Sequence, residues 1–488
     1  MAGDLVHAVH ARDWLADDTQ ARAQGAEADA SMAAARAMAA ASLKIDHARF
    51  VLTLDPSRRM IQDAAIVVDG QRIVHVGKAS ALETVSAERT IDGGGCVVTP
   101  AFVNTHMHVS YAHAARGIFA DDFVGRERLL EVYRLQSAMT EEEEYFTSLL
   151  AVTELMKSGT VTFLDPGSTK FLDACLQVYA EAGCRVVTGT GLVDQPDPLA
   201  VPCYSTDEAL ARTERFIRTY DHRLDDRVRA WAMPHGTDRV SRELLVGAKQ
   251  LADTYGTGVS LHHAGFVRDD LRSTLYLEAI GALGPNVLLA HATGIDDAEV
   301  ACIARTGAGV AFCPSTTLKE AIGVGSSRVP ELLARGVNVG IGNDSANSSN
   351  YLDTLRAMNV AAVCFKDARR EPRLMPAEQA LEMATLLGAR ALGLGDQIGS
   401  IEVGKKADLV LFDTRRAEWS ALFDPVNNLV YNADGRSVRT VIADGRIVVD
   451  NFRPLFVDEA RVADRVQAFG EALLARTGTT VRHGRWPV

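Results

Sequence analysis

A chain of 488 residues, 47% of them hydrophobic, can bury a large core, and its length suits two to four domains or one barrel with additions. A formal charge of -12, with no Lys/Arg cluster interleaved with aromatics, argues against nucleic acid as a partner. No apolar run reaches the roughly 18 to 20 residues of a membrane span, the N-terminus lacks a basic end followed by an apolar stretch, and the seven cysteines include no CxxC pair. The expected setting is cytoplasmic, with reduced thiols and no membrane partner.

Residues 1–42 are Ala-rich with scattered charge and are read as an appended arm. From Leu43 short β-rich runs such as "AAIVVDGQRIVHVG" are split by Asp-Gly and Gly-Gly turns, and the pattern returns in "GSIEVGKKADLVLFD" and "VRTVIADGRIVVDN". Residues 43–99 and 395–455 are therefore expected to form one composite β-sandwich, and 456–488 a helical tail.

Between them, residues 100–394 alternate short apolar runs with amphipathic helical stretches. The runs "FVNTHMH", "GTVTFLD", "RVVTGTGLV", "RVRAWAMPH", "GVSLHH", "NVLLAH", "GAGVAFCP" and "GVNVGIGND" number eight. The fold class is thus α/β: a TIM-like (β/α)8 barrel with a flanking small β-sandwich, its polar residues gathered at the C-terminal strand ends. The acidic run after Thr140 reads as a helix start, with Thr140 as cap and Glu143 at the capping-box position.

His106 and His108 share strand parity, which puts both on one side of a strand about 7 Å apart, within reach of one metal ion. His291 ends the sixth run and Asp344 the eighth. Imidazoles with one carboxylate suit one divalent ion per subunit, zinc first, with iron, manganese or cobalt compatible with the same ligands. In "VSLHH", parity sends Val259 and Leu261 outward and Ser260 and His262 inward, making His262 the better ligand and His263 a substrate or supporting group; a bulge would reverse that order.

The stretches "TPAFVNTHMHVSYAHAARGIFADD", "LLAHATGIDDAE", "CPSTTLKEAIGVGSSRVPELLARGVNVGIGNDSANSSN" and "GSIEVGKKADLVLFD" together resemble the metal-dependent amidohydrolase superfamily, from about Leu43 to Asn451. Within it the chain is similar to the branch of aminohydrolases and triazine chlorohydrolases. "RRMIQDAAIVV", "DPGSTKFLDAC" and "EQALEMATLLGARALGL" resemble phenylurea and molinate (thiocarbamate) hydrolases more closely still. The resemblance implies that His106, His108, a fifth-strand His, His291 and Asp344 bind the metal. The fourth strand, "AWAMPHG", lacks the lysine that bridges two metals in other members, so one metal is expected, and its His235 matches a substrate-contacting His.

Two departures bear on the reaction. Related deaminases carry a Glu three residues after the fifth-strand ligand, whereas here that position is Gly265, or Phe266 if His263 is the ligand. An "HNP"-like pattern on the seventh strand is replaced by Phe312-Cys313-Pro314, so an aromatic is expected at the wall of the site. Tyr111, His113 and Arg116 either line the pocket or pack their loop, and Asn347 and Asn350 either orient substrate or cap theirs.

The expectation is a hydrolase of amide, urea, carbamate or thiocarbamate C–N bonds in a small, partly aromatic or apolar molecule. Asp344 takes the proton of a metal-activated water, and the carbonyl oxygen is polarised by the metal or by His291. Such substrates have no ring nitrogen to protonate, so the missing Glu costs them less. The alternative is a deaminase or chlorohydrolase of a purine, pyrimidine or triazine-like ring, with His235 or His263 as proton donor. A non-catalytic scaffold is a third class, disfavoured because the ligands are all retained. A homo-oligomer is expected by analogy with relatives.

Overall fold

The computed structural model describes residues 40–110, 116–196, 202–265 and 273–481. Nearly all of the expected arm, together with Tyr111, His113 and Phe266, lies outside the described residues.

Strands from both ends of the chain pair in one sheet of nine strands. Its first part is β1 (Ala41–Leu52), β2 (Met60–Asp69), β3 (Arg72–Lys78), β4 (Ala87–Asp92) and β5 (Cys96–Pro100). Where the sequence reading expected a sandwich, the hydrogen bonding is that of a single sheet, because the late strand Leu409–Asp413 pairs antiparallel with β5, Leu411 opposite Val98. Alternate residues such as Leu43, Ile45, Ile66, Val98 and Leu411 bury a core of their own there. β5 runs through Ala101 directly into the barrel, which fixes sheet and barrel to each other.

The barrel strands are β6 (Phe102–Asn104), β7 (Thr160–Leu164), β8 (Arg185–Thr188), β9 (Val228–Ala230), β10 (Val259–His263), β11 (Val287–His291), β12 (Gly309–Phe312) and β13 (Val339–Ile341). All pair in parallel, in the order β9-β8-β7-β6-β13-β12-β11-β10. Parallel bridges from Ala232 to Val259 and from Gly236 to His262 join the two ends into a closed ring. The strands are nearly all apolar because both faces are buried. Phe102, Phe163, Val186, Leu261, Leu289 and Phe312 pack outward on the helices, whereas Val103, Leu164, Val187, Leu288, Ala290 and Ala311 fill the interior.

Two helices follow the first barrel strand, α1 (Gly125–Ala138) and α2 (Glu141–Lys157). The start of α2 has the capping box read from the sequence, Thr140 accepting from Glu143 N–H and Glu143 from Thr140 N–H. The tail contains a helix, Glu459–Thr477, tied to α2 and its cap by Lys157–Glu459 and Arg476–Glu143 ion pairs of 2.7 Å each. No helix among the described residues is long and apolar enough to cross a membrane.

Candidate metal centre and active site

Four imidazoles and one carboxylate meet at the C-terminal mouth of the barrel. The ring of His106 is the hub, with centroids 5.1 Å from His108, 4.8 Å from His262 and 5.0 Å from His291. Ligand atoms of His106, His108 and His262 lie within 4.8 Å of one another. Asp344 Oδ1 completes the group, 3.4 Å from His108 Nε2 and 3.8 Å from His106 Nε2.

Regular strand alternation delivers only one of these groups. His262 is turned inward on β10 and donates from Nδ1 to the His235 carbonyl at 3.0 Å, which leaves Nε2 facing the cluster. His263 points the other way, its Nε2 2.8 Å from Thr274 Oγ1 and its Nδ1 3.3 Å from Ser273 Oγ on the helix Ser273–Ala279. The substrate contact expected of His263 is therefore corrected: period-two alternation places the ring against that helix.

The other ligands arrive by departures from strand geometry. Leu289, which sequence parity placed on the same inward face as His291, packs outward, and His291 reaches the site through a left-handed φ of +77°. Such conformations are uncommon for a residue with a Cβ and are concentrated at functional sites. Asp344 likewise has φ +59°. β6 stops at Asn104, so His106 and His108 are not on one continuous strand; Met107–His108 pairs instead with Asp344–Ser345. Asn104 clamps this junction, donating to Asn343 Oδ1 at 2.6 Å and accepting from His106 N–H at 3.2 Å. Gly342 permits the approach, since a Cβ there would stand 2.8 Å from the His106 carbonyl oxygen.

The electrostatics fit a cation. Burial, aided by the neighbouring imidazoles, holds His106 and His262 well below the usual histidine range. Burial also pushes His108 down to about 4 and lowers His291. All four are thus neutral at pH 7, the form in which imidazole binds metal. Both ring nitrogens of His106 and the Oδ2 of Asp344 are buried without a hydrogen-bond partner among the described residues, while Asp344 Oδ1 accepts from Ser345 N–H at 2.8 Å. A buried carboxylate oxygen facing imidazole nitrogens without a hydrogen bond is costly unless a cation satisfies it. The residues present fit one divalent ion.

The remaining sequence candidates divide. His235 stacks on His262 with centroids 5.0 Å apart, beside the cluster. Asn347 accepts from Ser345 Oγ at 2.5 Å, so it braces the loop after Asp344. Phe312 is corrected: it lies outside the barrel against Phe365, centroids 5.5 Å apart, because the small Ala311 takes the inward position on β12. Gly265 does more than lack a carboxylate. A Cβ at that position would stand 2.7 Å from His291 Cδ2, so the His291 ring occupies the space where a side chain would begin.

The sequence reading missed α1 as a site element. Arg128 pairs with Glu320 at 2.5 Å and donates to the Asn347 carbonyl at 3.2 Å, bracing the loop after Asp344. Tyr133 contacts His235, its hydroxyl 2.9 Å from Nε2. Gln136 donates to the Ser168 carbonyl, and Ser168 Oγ lies 2.5 Å from His108 Nδ1. Arg128, Val132 and Gln136 are buried at a spacing of four, a polar-apolar-polar stripe that marks a helix face buried on polar loops. Below Ser168 the carboxyl of Asp165 is pushed up to about 7 by burial.

A family model described as the amidohydrolase family matches residues 97–448. The chain belongs to the amidohydrolase family. It is 32% identical over 436 residues to a 5'-deoxyadenosine deaminase of Methanosarcina acetivorans, covering 88% of this chain and 97% of that one. It is 34% identical over 427 residues to a 5-methylthioadenosine/S-adenosylhomocysteine deaminase of Syntrophobacter fumaroxidans, covering 86% and 95%. Among solved structures, an adenosine deaminase from Xanthomonas campestris with bound zinc superposes with a TM-score of 0.82 at 27% identity, over 89% of this chain and 99% of that one. A triazine hydrolase from Arthrobacter aurescens shares the fold, with a TM-score of 0.80 at 24% identity, over 88% and 99%. The chain is a hydrolase acting on carbon–nitrogen bonds other than peptide bonds. These relatives are deaminases and a triazine hydrolase, not the phenylurea and molinate hydrolases that the sequence resembled.

Proposed function

We propose that this amidohydrolase removes an exocyclic amino group from a ring carbon of a nitrogen heterocycle and releases ammonia. The observation that carries this reading is the likeness to adenosine-type deaminases along 86 to 88% of the chain, on a site that keeps four imidazoles and a carboxylate together. His106, His108 and His262 would hold a divalent ion, with His291 and Asp344 beside it; zinc is the ion inferred, because the Xanthomonas relative binds it. When bound, such an ion lowers the pKa of a coordinated water toward about 7 and stabilises charge developing at the attacked carbon.

The chain's own groups supply the rest. Asp344 accepts the proton of the attacking water through Oδ2 and returns it to the departing nitrogen. His291, held by its backbone conformation, borders the reacting carbon. Ser168 and the His235 carbonyl fix the rings of His108 and His262 from behind.

Gly265 favours a second reading, hydrolysis of an amide, urea, carbamate or thiocarbamate, because no carboxylate follows His262 to protonate a ring nitrogen. A substrate panel separates the two. The first reading expects ammonia from 5'-deoxyadenosine, methylthioadenosine or an aminotriazine, with kcat/KM of about 10⁴ M⁻¹s⁻¹ or more for the preferred compound. Release of an aromatic amine from phenylureas or anilides, without ammonia from any ring, would carry the second and overturn the first.

A further inference from the structure

The acidic run that opens α2 does more than start a helix. Of its four glutamates, Glu144 is only 1% exposed, packed against the loop that follows β7. A buried carboxylate is costly unless its oxygens are satisfied, and here both are. Oε1 accepts from Lys170 N–H and Oε2 from Phe171 N–H, each at 2.8 Å. Ser110, two residues beyond His108, hydrogen-bonds to the same carboxyl.

The loop so held is the one that carries Ser168, whose hydroxyl lies 2.5 Å from His108 Nδ1. β7 ends at Leu164 and the next helix begins at Leu172, so the segment between lies outside regular structure. Side chains fix it instead. From α1 and its end, Gln136 donates to the Ser168 carbonyl, and the carbonyls of Ser137 and Met139 accept from Lys170 Nζ at 2.8 and 2.9 Å. Glu144 grips the same segment from α2, through two consecutive amides.

We propose that Glu144 is a positioning residue of the metal centre: by holding the Lys170 and Phe171 amides it sets where Ser168 meets the His108 ring, and so aims that ring at the ion. This rests on the metal-centre reading above and on no particular substrate. The arrangement asks for a carboxylate. A glutamine has one accepting oxygen and would turn its NH2 toward the other amide hydrogen, so it can serve only one of the two. Groups that orient a metal-binding imidazole from behind are worth about 10- to 100-fold in metal affinity, which makes the effect measurable.

The test titrates zinc into the metal-free, full-length chain with no substrate present. Glu144→Gln is expected to raise the zinc Kd by about 10- to 100-fold, and Ser168→Ala by about 10-fold. In the Ser168→Ala background, Glu144→Gln should add less than about threefold, because the hydroxyl through which it acts is already gone. Glu144→Asp draws both oxygens back by a methylene; it should cost at least about fivefold and takes the same place in the cycle where the glutamine variant does not fold. The cobalt(II)-saturated forms give a second reading. Their visible bands follow ligand geometry, so the Glu144 and Ser168 variants should shift them alike, whereas a glutamate that only stabilised the fold would lower the melting temperature and leave the bands unmoved. A zinc Kd within about threefold of wild type in the folded Glu144 variant overturns the proposal. So does an equal loss with and without the Ser168 hydroxyl, which would put the effect on Ser110. A wild type that binds no zinc overturns the metal-centre reading together with this one, whereas a wild type that binds zinc and spares every ring overturns only the choice of reaction.

Discussion

Asp344→Asn is expected to reduce kcat by at least about 1,000-fold and to leave the fold intact. Oδ1 of this carboxylate lies 3.4 Å from His108 Nε2 and 3.8 Å from His106 Nε2, and Oδ2 is buried with no hydrogen-bond partner among the described residues, so the carboxylate is the base that the imidazole cluster offers to an attacking water. An amide of the same shape cannot take that proton. Its oxygen can still accept from Ser345 N–H, and asparagine tolerates the φ of +59° better than other side chains with a Cβ. Circular dichroism should be superimposable on wild type, with the melting temperature within a few degrees. Turnover within tenfold of wild type would remove Asp344 from the role of base.

The neighbouring histidines of β10 should fail in opposite ways. His262→Ala removes one of three imidazoles whose ligand atoms converge, so metal affinity should fall by at least about 100-fold, with activity falling alongside it. His263→Ala should keep the metal within about tenfold and instead lower stability by about 2 to 4 kcal/mol. It empties a buried volume against the helix Ser273–Ala279 and strands the hydroxyls of Thr274 and Ser273. Metal titrations and denaturant unfolding of the two variants read this contrast. The reverse pattern would mean that His263 and not His262 belongs to the centre.

That contrast also marks how far the sequence could be read. Along β10 the alternation is regular, so parity alone places His262 inward and His263 outward. At β11 the same rule assigns His291 to the inward face together with Leu289, but Leu289 packs outward and a left-handed φ brings His291 in. No pattern of apolar residues encodes a single dihedral. His106 and His108 are read as neighbours on one strand, yet the strand ends at Asn104 and the pair is assembled by Asn104, Gly342 and the pairing with Asp344–Ser345. Phe312 is misread because parity needs an anchor, which the small Ala311 supplies only once the interior is seen.

The eight barrel strands were legible because parallel strands buried on both faces are short apolar runs bounded by turns. Helix α1 was not. Arg128, Tyr133 and Gln136 are the kind of residues that usually face water, and only the loops they meet reveal that this face is covered. The choice of reaction was the least legible, because Gly265 shows what is missing and not what replaces it. Weighing that absence alone favours amide cleavage, whereas the relatives favour ring deamination.

The proposed function requires one divalent ion held at the mouth of the barrel. Elemental analysis of the purified chain before and after chelation, with turnover of the best panel substrate measured on the same samples, tests it most directly. One equivalent of ion per chain, lost together with activity and restored by adding zinc, is the expected result; no bound ion and a turnover that survives chelation unchanged would contradict it.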